Sequence, residues 1–157
     1  MLCVTTGLGL FDNPALGNSL FTSDVQAAVD LFGPTEFLSM DEQLAASGLG
    51  PCDHHQAESP ESAYLGTKIT EVPTKALEAS PITYVHEGMP PILIQHGRLD
   101  CQVPFQQSVG FAKAIALRIG PEAFELDLFD NAGHADPVFE SEANLDRVFR
   151  FLDRHLK

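Results

Sequence analysis

Residues 90–104, PPILIQHGRLDCQVP, combine an apolar run with a polar loop. Ile92, Leu93 and Ile94 form a short apolar run that stops at Gly97, a pattern typical of a parallel strand buried on both faces. The chain then leaves the strand as a loop that carries Asp100. Because open α/β sheets keep their sites beyond the carboxyl ends of their strands, this carboxylate lies where a functional group is expected.

A second strand, predicted at residues 124–129, ends in a loop of the same kind. The segment FELDLF alternates in polarity and runs into DNAGH, which carries His134. Helices are predicted at 105–119 and 142–156, and a further strand, VQAAVDLF, at 25–32. Strands that alternate with helices predict an α/β fold with about three parallel strands flanked by helices. Such a sheet would bring Asp100 and His134 to one edge.

These motifs resemble the C-terminal half of an α/β-hydrolase. HG-x-x-D-x-x-VP, with the histidine of AGH 34 positions after its aspartate, is similar to the acid and base segments of a Ser-Asp-His triad, in the chain order of that fold. The resemblance implies that Asp100 is the acid and His134 is the base. VQAAVDLFGPTEFLSMDEQ, SPESAYLG and FLDRHLK resemble the esterase branch that includes feruloyl and acetylxylan esterase-like proteins.

The resemblance also implies what this chain does not carry. Members of the family have an HGGG-type oxyanion segment and a G-x-S-x-G nucleophile elbow, and MLCVTTG here resembles the helix after that elbow. The candidate elbow around Ser19 lacks the second glycine, the one around Ser108 lacks the first, and neither follows a strand. We therefore expect one truncated α/β-hydrolase domain over residues 1–157, with the acid and the histidine but not the serine.

Two regions of the predicted domain bear on its surface. Residues 47–81 are rich in Gly, Pro and Ser, and they resemble the lid-like insertion that covers the active site in this branch. The strand at 25–32 has a partner on each side in the family but lacks the upstream one here, so its free N–H and C=O groups can pair with another chain. We expect a homodimer at this edge, and the alternative is an N-terminal segment that folds back over it.

Composition excludes several classes of function. The net charge of −13 would repel phosphate backbones, so no nucleic-acid partner is expected, and no apolar run approaches a membrane span. The cluster CDHH at 52–55 groups metal-type ligands, but four consecutive residues cannot converge on one ion, so an exposed loop is expected and neither metal nor cofactor is predicted. Three cysteines without a pair spacing make a reducing compartment the default.

The residues alone leave another interpretation of the pair open, in which Asp100 caps a turn and His134 is a surface residue. Asp136, two positions after the histidine, could also compete for it, although the family motif favours Asp100. Structural roles are expected for three neighbours: His96, Ser108 and Cys101.

Two functional classes follow from the resemblance. The first is a hydrolase of small carboxylic esters, in which an upstream chain, a second copy or an unrecognised residue supplies the nucleophile. The second is a catalytically inactive remnant that folds by self-association. A base without a nucleophile or an oxyanion hole loses most of the rate acceleration. We therefore expect this chain itself to be inactive, as in the second class, and to descend from an ester hydrolase, as in the first.

Overall fold

Three parallel strands form the sheet at the centre of the protein. A computed structural model, which describes residues 2–17 and 20–156, gives them the order β1 (Ala28–Leu31), β2 (Ile92–Gly97) and β3 (Phe124–Phe129). Both strand pairs are parallel, so the carboxyl ends of all three strands meet at one edge. The predicted α/β class, with three parallel strands flanked by helices, is confirmed.

Helices and single 3-10 turns connect the strands. The α-helices of the described residues are α1 (Leu2–Thr5), α2 (Met40–Ser47), α3 (Pro60–Leu65), α4 (Pro73–Ala79), α5 (Gln106–Arg118) and α6 (Glu142–His155). Shorter 3-10 helices lie at Pro14–Leu16, Phe37–Ser39, Ile69–Glu71, Pro81–Tyr84, Pro121–Ala123 and Pro137–Glu140. Helices α5 and α6 match the predicted segments at 105–119 and 142–156.

The two faces of β2 carry different layers. Ile94 packs with Phe111 and Ile115 of α5 in the hydrophobic core. Gln95 points to the opposite face, where its side-chain amide exchanges hydrogen bonds of 2.7 and 2.8 Å with the amide of Asn144 in α6. A helix on each face buries β2 along its whole length, which explains the nearly continuous apolar run in its sequence.

β1 is shorter than the predicted strand 25–32 and lies at an edge of the sheet. Val25 donates its N–H to Oγ1 of Thr6, 3.3 Å away, so pairing with β2 begins only at Ala28. Within the described residues, β1 has a neighbouring strand only on its β2 side. The opposite edge of β1 therefore presents backbone groups that no strand of the described ranges pairs with.

Gln107, near the start of α5, fixes the connection that follows β1. Its buried side-chain oxygen accepts the N–H of Thr35 at 2.8 Å and that of Glu36 at 2.7 Å. Its Nε2 donates to Ser39 at 3.0 Å and to Gln43 at 2.8 Å. The backbone N–H groups of Thr35 and Glu36 are thus both satisfied by the side-chain amide of Gln107. Because Gln107 belongs to α5, this helix fixes where the chain turns after β1.

The N-terminal segment before β1 is mostly loop. In the candidate elbow at 17–21, Asn18 and Ser19 lie outside the described residues. Several apolar side chains of this segment are exposed: Leu8, Leu10, Phe11, Leu16, Leu20 and Phe21. Over the ranges that the structure covers, no helix combines the length and apolarity needed to cross a bilayer.

Candidate active site

Two loops at the carboxyl edge of the sheet lie against each other. The loop after β2, residues 98–104, is joined to the loop after β3 by backbone hydrogen bonds of 2.9 Å, from Arg98 N to Phe129 O and from Leu99 N to Ala132 O. Gly97 permits this approach, because a Cβ there would lie 2.3 Å from Ala132 O. The two loops can touch only because the last residue of β2 has no side chain.

Asp100, in the loop 98–104, and His134 meet at this contact. Nδ1 of His134 donates to Oδ2 of Asp100 over 2.8 Å. The other carboxylate oxygen, Oδ1, accepts the N–H groups of Gln102 and Val103, each at 2.8 Å. Burial raises the pKa of Asp100, but hydrogen bonds from His96, the two backbone groups and His134 outweigh it and hold the pKa below its ordinary value. The buried carboxylate is therefore ionised and orients the imidazole.

His134 keeps its second ring nitrogen open. Its side chain is 24% exposed, and no group in the described part of the chain hydrogen-bonds to Nε2. The ring of Phe32 packs edge-on against the imidazole, with the ring centroids 4.6 Å apart, and so restricts its plane. An imidazole with one nitrogen held by a carboxylate and the other free has the geometry of a general base.

Phe32 forms an aromatic wall beside His134 in a strained backbone conformation. It follows β1 with a φ of 45°, which a bulky residue rarely adopts. Its N–H donates to Gln95 O at 2.8 Å, and its ring also packs edge-on against Phe139 at 4.9 Å. Strain of this kind, about 1 to 3 kcal/mol, persists only where the surroundings enforce it, and it clusters at functional sites.

His96 binds the carboxylate of Asp100 from inside the protein. Its buried Nε2 lies 2.9 Å from Val103 O and 3.3 Å from Asp100 Oδ2. Because both partners only accept, Nε2 carries the proton, and Nδ1 accepts the hydroxyl of Ser108 at 2.7 Å. His96 thus has the packed, hydrogen-bonded role that its sequence context predicts, and Ser108 is buried against it.

Two residues near the pair have other environments. Asp136 caps the 3-10 helix Pro137–Glu140, where its Oδ1 accepts the N–H of Val138 at 3.0 Å, so its carboxylate does not compete for His134. Cys101 is exposed, and the prediction that it packs was wrong, because the turn that buries Asp100 directs the next side chain outward.

The exposed loop expected for the cluster CDHH is confirmed at Cys52 and Asp53 but is wrong for the two histidines. His54 is buried, with its ring nitrogens on a carboxylate of α3 and on a carbonyl of the loop 98–104. His55 is half-buried, with its ring nitrogens on a carboxylate of α2 and on a backbone carbonyl. Among the described residues, no three His, Cys, Asp or Glu side chains are grouped as metal ligands.

Sequence reasoning missed residues that support the pair. A positive φ at a phenylalanine leaves no sequence pattern, so the conformation of Phe32 was not predictable. His54 contacts the loop 98–104 across a separation of 48 residues, which periodicity does not reveal, and its other partner is Glu61. One signal was present: a serine followed by a proline, as at Ser59 and Pro60, is typical of a helix start, and Glu61 lies in the first turn of α3.

Comparison with known proteins adds to this geometry. The family model described as BD-FAE matches residues 2–115. A curated protein of Mycobacterium tuberculosis, "Probable carboxylic ester hydrolase LipM", is 31% identical over 87 residues, which are 55% of this chain and 18% of that protein. The chain is thus related to carboxylic ester hydrolases.

Solved structures match nearly the whole chain. "Bifunctional GH43-CE" from Bacteroides eggerthii is 26% identical, with a TM-score of 0.79 over 99% of this chain and 20% of that one. "Truncated form of carbohydrate esterase from gut microbiota" is 27% identical, with a TM-score of 0.77 over 99% of this chain and 55% of that one. The chain therefore spans about half or less of the length of these proteins, and its sheet is part of an α/β-hydrolase fold.

Gly97→Ala should separate the two loops of the site. The added Cβ would lie 2.3 Å from Ala132 O and 2.8 Å from Gly133 O, and these backbone atoms cannot rotate away. We expect the free energy of unfolding to fall by about 1 to 3 kcal/mol, as for other overpacked sites, together with loss of the hydrogen-bonded Nδ1 proton of His134. Chemical denaturation and proton NMR measure the two effects.

Gly110→Ala is the matched control. It lies in α5, where an added Cβ would meet nothing within 4 Å. A helical alanine should raise the free energy of unfolding by about 0.5 to 1 kcal/mol and leave the His134 proton in place. Equal effects of the two glycine variants would contradict the role given to Gly97.

Proposed function

This chain belongs to the BD-FAE family, and we propose that it carries the acid and the base of a carboxylic ester hydrolase site, Asp100 and His134. One observation carries the proposal: a buried carboxylate holds Nδ1 of a partly exposed imidazole at 2.8 Å and leaves Nε2 open. The relation to carboxylic ester hydrolases supports the reaction class.

The proton inventory of the pair defines what each residue does. With its Nδ1 proton donated to Asp100, His134 has a lone pair on Nε2 that takes the proton of a nucleophilic hydroxyl as the hydroxyl oxygen attacks the ester carbonyl. Asp100 stabilises the imidazolium that forms. The imidazolium then returns the proton to the leaving alkoxide oxygen when the carbon–oxygen bond breaks, and water releases the acyl group by the same route.

The nucleophilic hydroxyl, in this proposal, comes from outside the described residues. No serine hydroxyl of the described ranges hydrogen-bonds to His134, and the hydroxyl of Ser108 is committed to His96. A hydroxyl delivered by another segment or another chain would complete the site. The pair supplies the proton transfers, and the missing partner supplies the covalent step.

The proposed substrate is an acyl ester on a carbohydrate. The similar solved structures described as "GH43-CE" and "carbohydrate esterase" support this class. The sequence motifs shared with feruloyl and acetylxylan esterase-like proteins point the same way. The half-buried ring of Phe32 beside His134 offers an apolar surface to the acyl group.

Hydrolysis of p-nitrophenyl acetate tests the proposed base. We expect His134→Ala to lower the rate by about 10² or more, the range that a positioned general base contributes. Asp130→Asn is the matched control, since this exposed carboxylate lies in the same loop and pairs with Arg98 at 2.9 Å instead of His134. A rate that is unchanged in His134→Ala would rule out the proposed role.

A second function is a catalytically inactive domain that self-associates through β1. Ala28 N and Phe32 N donate toward β2, to Pro91 O at 3.0 Å and to Gln95 O at 2.8 Å, so the backbone groups of Val29 point to the open edge. A cavity of about 290 Å³ opens beside β1. These features favour a homodimer in which a second copy covers this edge. In such a dimer Asp100 and His134 would have no nucleophile to activate, and no ester would be hydrolysed.

The lining of that cavity includes a polar group without a partner. Oδ2 of Asp30 is buried and finds no hydrogen-bond partner among the described residues, and burial raises the pKa of this carboxyl. An unmatched polar atom next to an unpaired strand edge supports further chain at this surface.

Val29→Pro tests self-association. Proline removes the N–H that points outward and should leave the pairing with β2 intact, whereas Val29→Ala keeps the N–H. Sedimentation velocity at micromolar concentration should show a dimer for the wild type and for Val29→Ala, and a monomer for Val29→Pro. The dimer should be tighter at higher salt, because salt screens the repulsion between two copies that each carry a net charge of −13. A monomeric wild type would contradict the homodimer. A dimer that a fluorophosphonate does not label would support the catalytically inactive domain.

A further inference from the structure

His54 joins the segment before α3 to the loop of the proposed acid. Its buried ring lies between Glu61 of α3 and Gln102 of the loop 98–104, with Nδ1 3.1 Å from Oε2 of Glu61 and Nε2 2.8 Å from the carbonyl oxygen of Gln102. Its backbone N–H donates to Oδ1 of Asp41 in α2 at 2.9 Å. His54 thus connects α3, which lies in the predicted lid region, and α2, which precedes it, to the turn that carries Asp100.

The carbonyl that His54 contacts belongs to a peptide group that also binds the carboxylate. The oxygen of Gln102 and the N–H of Val103 are the two ends of one peptide, and that N–H donates to Oδ1 of Asp100 at 2.8 Å. A donor on the carbonyl end polarises the peptide and strengthens donation from its N–H end. The imidazole of His54 therefore reaches Asp100 through a single peptide unit.

A second contact holds the same two segments together. Gly50 lies so close to the loop 98–104 that a Cβ there would be 2.3 Å from the carbonyl oxygen of Cys101. Adjacent carbonyls of the loop, those of Cys101 and Gln102, are thus both covered by the segment 50–54. The position of the turn around Asp100 depends on this packing as well as on β2.

Both ring nitrogens of His54 face oxygen atoms, one across an ion-pair distance and one across a hydrogen bond. A backbone carbonyl and a carboxylate can only accept, so the geometry fits the imidazolium, with the Glu61 contact an ion pair that is not an aligned hydrogen bond. The carboxylate of Glu61 raises the pKa of His54, against the opposing effect of burial, and Asp41 acts in the same direction. These are the charged groups that face the ring from α2 and α3.

We propose that His54, charged and paired with Glu61, is a positioning residue for Asp100 and acts through the peptide between Gln102 and Val103. This inference rests on the proposed function, because it assigns Asp100 the role of the acid. In this proposal the segment 50–61 helps to position the carboxylate of Asp100, in addition to covering the active site as a lid would.

The ionisation of Asp100 provides the first test. We expect His54→Ala to raise the pKa of Asp100 by roughly 0.5 unit or more, because the Val103 N–H becomes a weaker donor to the carboxylate. The pKa is read from the pH dependence of the Asp100 ¹³Cγ shift in the folded protein. Glu61→Gln, which keeps the His54 side chain, should raise the pKa of Asp100 by a smaller amount.

His55→Ala is the matched control for this titration. His55 lies in the same segment and contacts Asp41 at 3.4 Å and Leu38 O at 3.1 Å, but it does not touch the loop 98–104. An unchanged pKa of Asp100 in folded Glu61→Gln and His54→Ala, or an equal rise in His55→Ala, would overturn the proposal. No ester enters this measurement, so a shift of the pKa without hydrolysis would refute the proposed function alone.

The pH dependence of stability gives a second test. The pKa of His54 is raised above 6.5, so its stabilisation is complete below about pH 6.5 and is lost as the pH rises through the folded-state value. Burial raises the pKa of Glu61, but contact with His54 outweighs it and lowers the pKa below 4.5, so that contribution is present above about pH 4.5 and is lost as the pH falls. The difference in melting temperature between wild type and His54→Ala should be largest between these limits, and a constant difference would contradict the pairing.

Discussion

The carboxylate of Asp100 lies against four N–H groups, and the arrangement of the whole site depends on keeping them in place. Two come from its own turn, from the N–H groups of Gln102 and Val103, and two come from the imidazoles of His96 and His134. Because a buried ion without such donors would be strongly destabilising, each donor holds its segment in place. The same constraint that keeps the protein folded here also fixes the orientation of the proposed base.

The surrounding architecture can be understood as support for this one group. Gly97 allows the two loops to meet, and the amide of Gln107 fixes the chain that leads away from β1. On the other side, His54 contacts the turn through the carbonyl of Gln102. The groups that support this turn therefore lie on β2, on α5 and in the segment 50–54, which are far apart in the sequence, and the site is a property of the folded domain.

The sheet and the meeting of Asp100 with His134 could be predicted from sequence because each follows from a short-range rule. Apolar periodicity marked β2 and β3, and parallel strands place their carboxyl ends together. β1 was predicted too long, since Val25 bonds to Thr6 and the pairing with β2 starts at Ala28. The environment of the CDHH cluster could not be predicted, because the partners of His54 lie on other elements and no spacing rule connects them.

Phe32 shows where two requirements of the molecule oppose each other. Its left-handed backbone is one that glycine adopts freely, so glycine would relieve the backbone strain at this position. Glycine would also remove the ring that lies against His134 and Phe139. The aromatic residue at this position therefore marks a compromise, in which the domain tolerates a strained backbone and keeps a defined wall beside its imidazole.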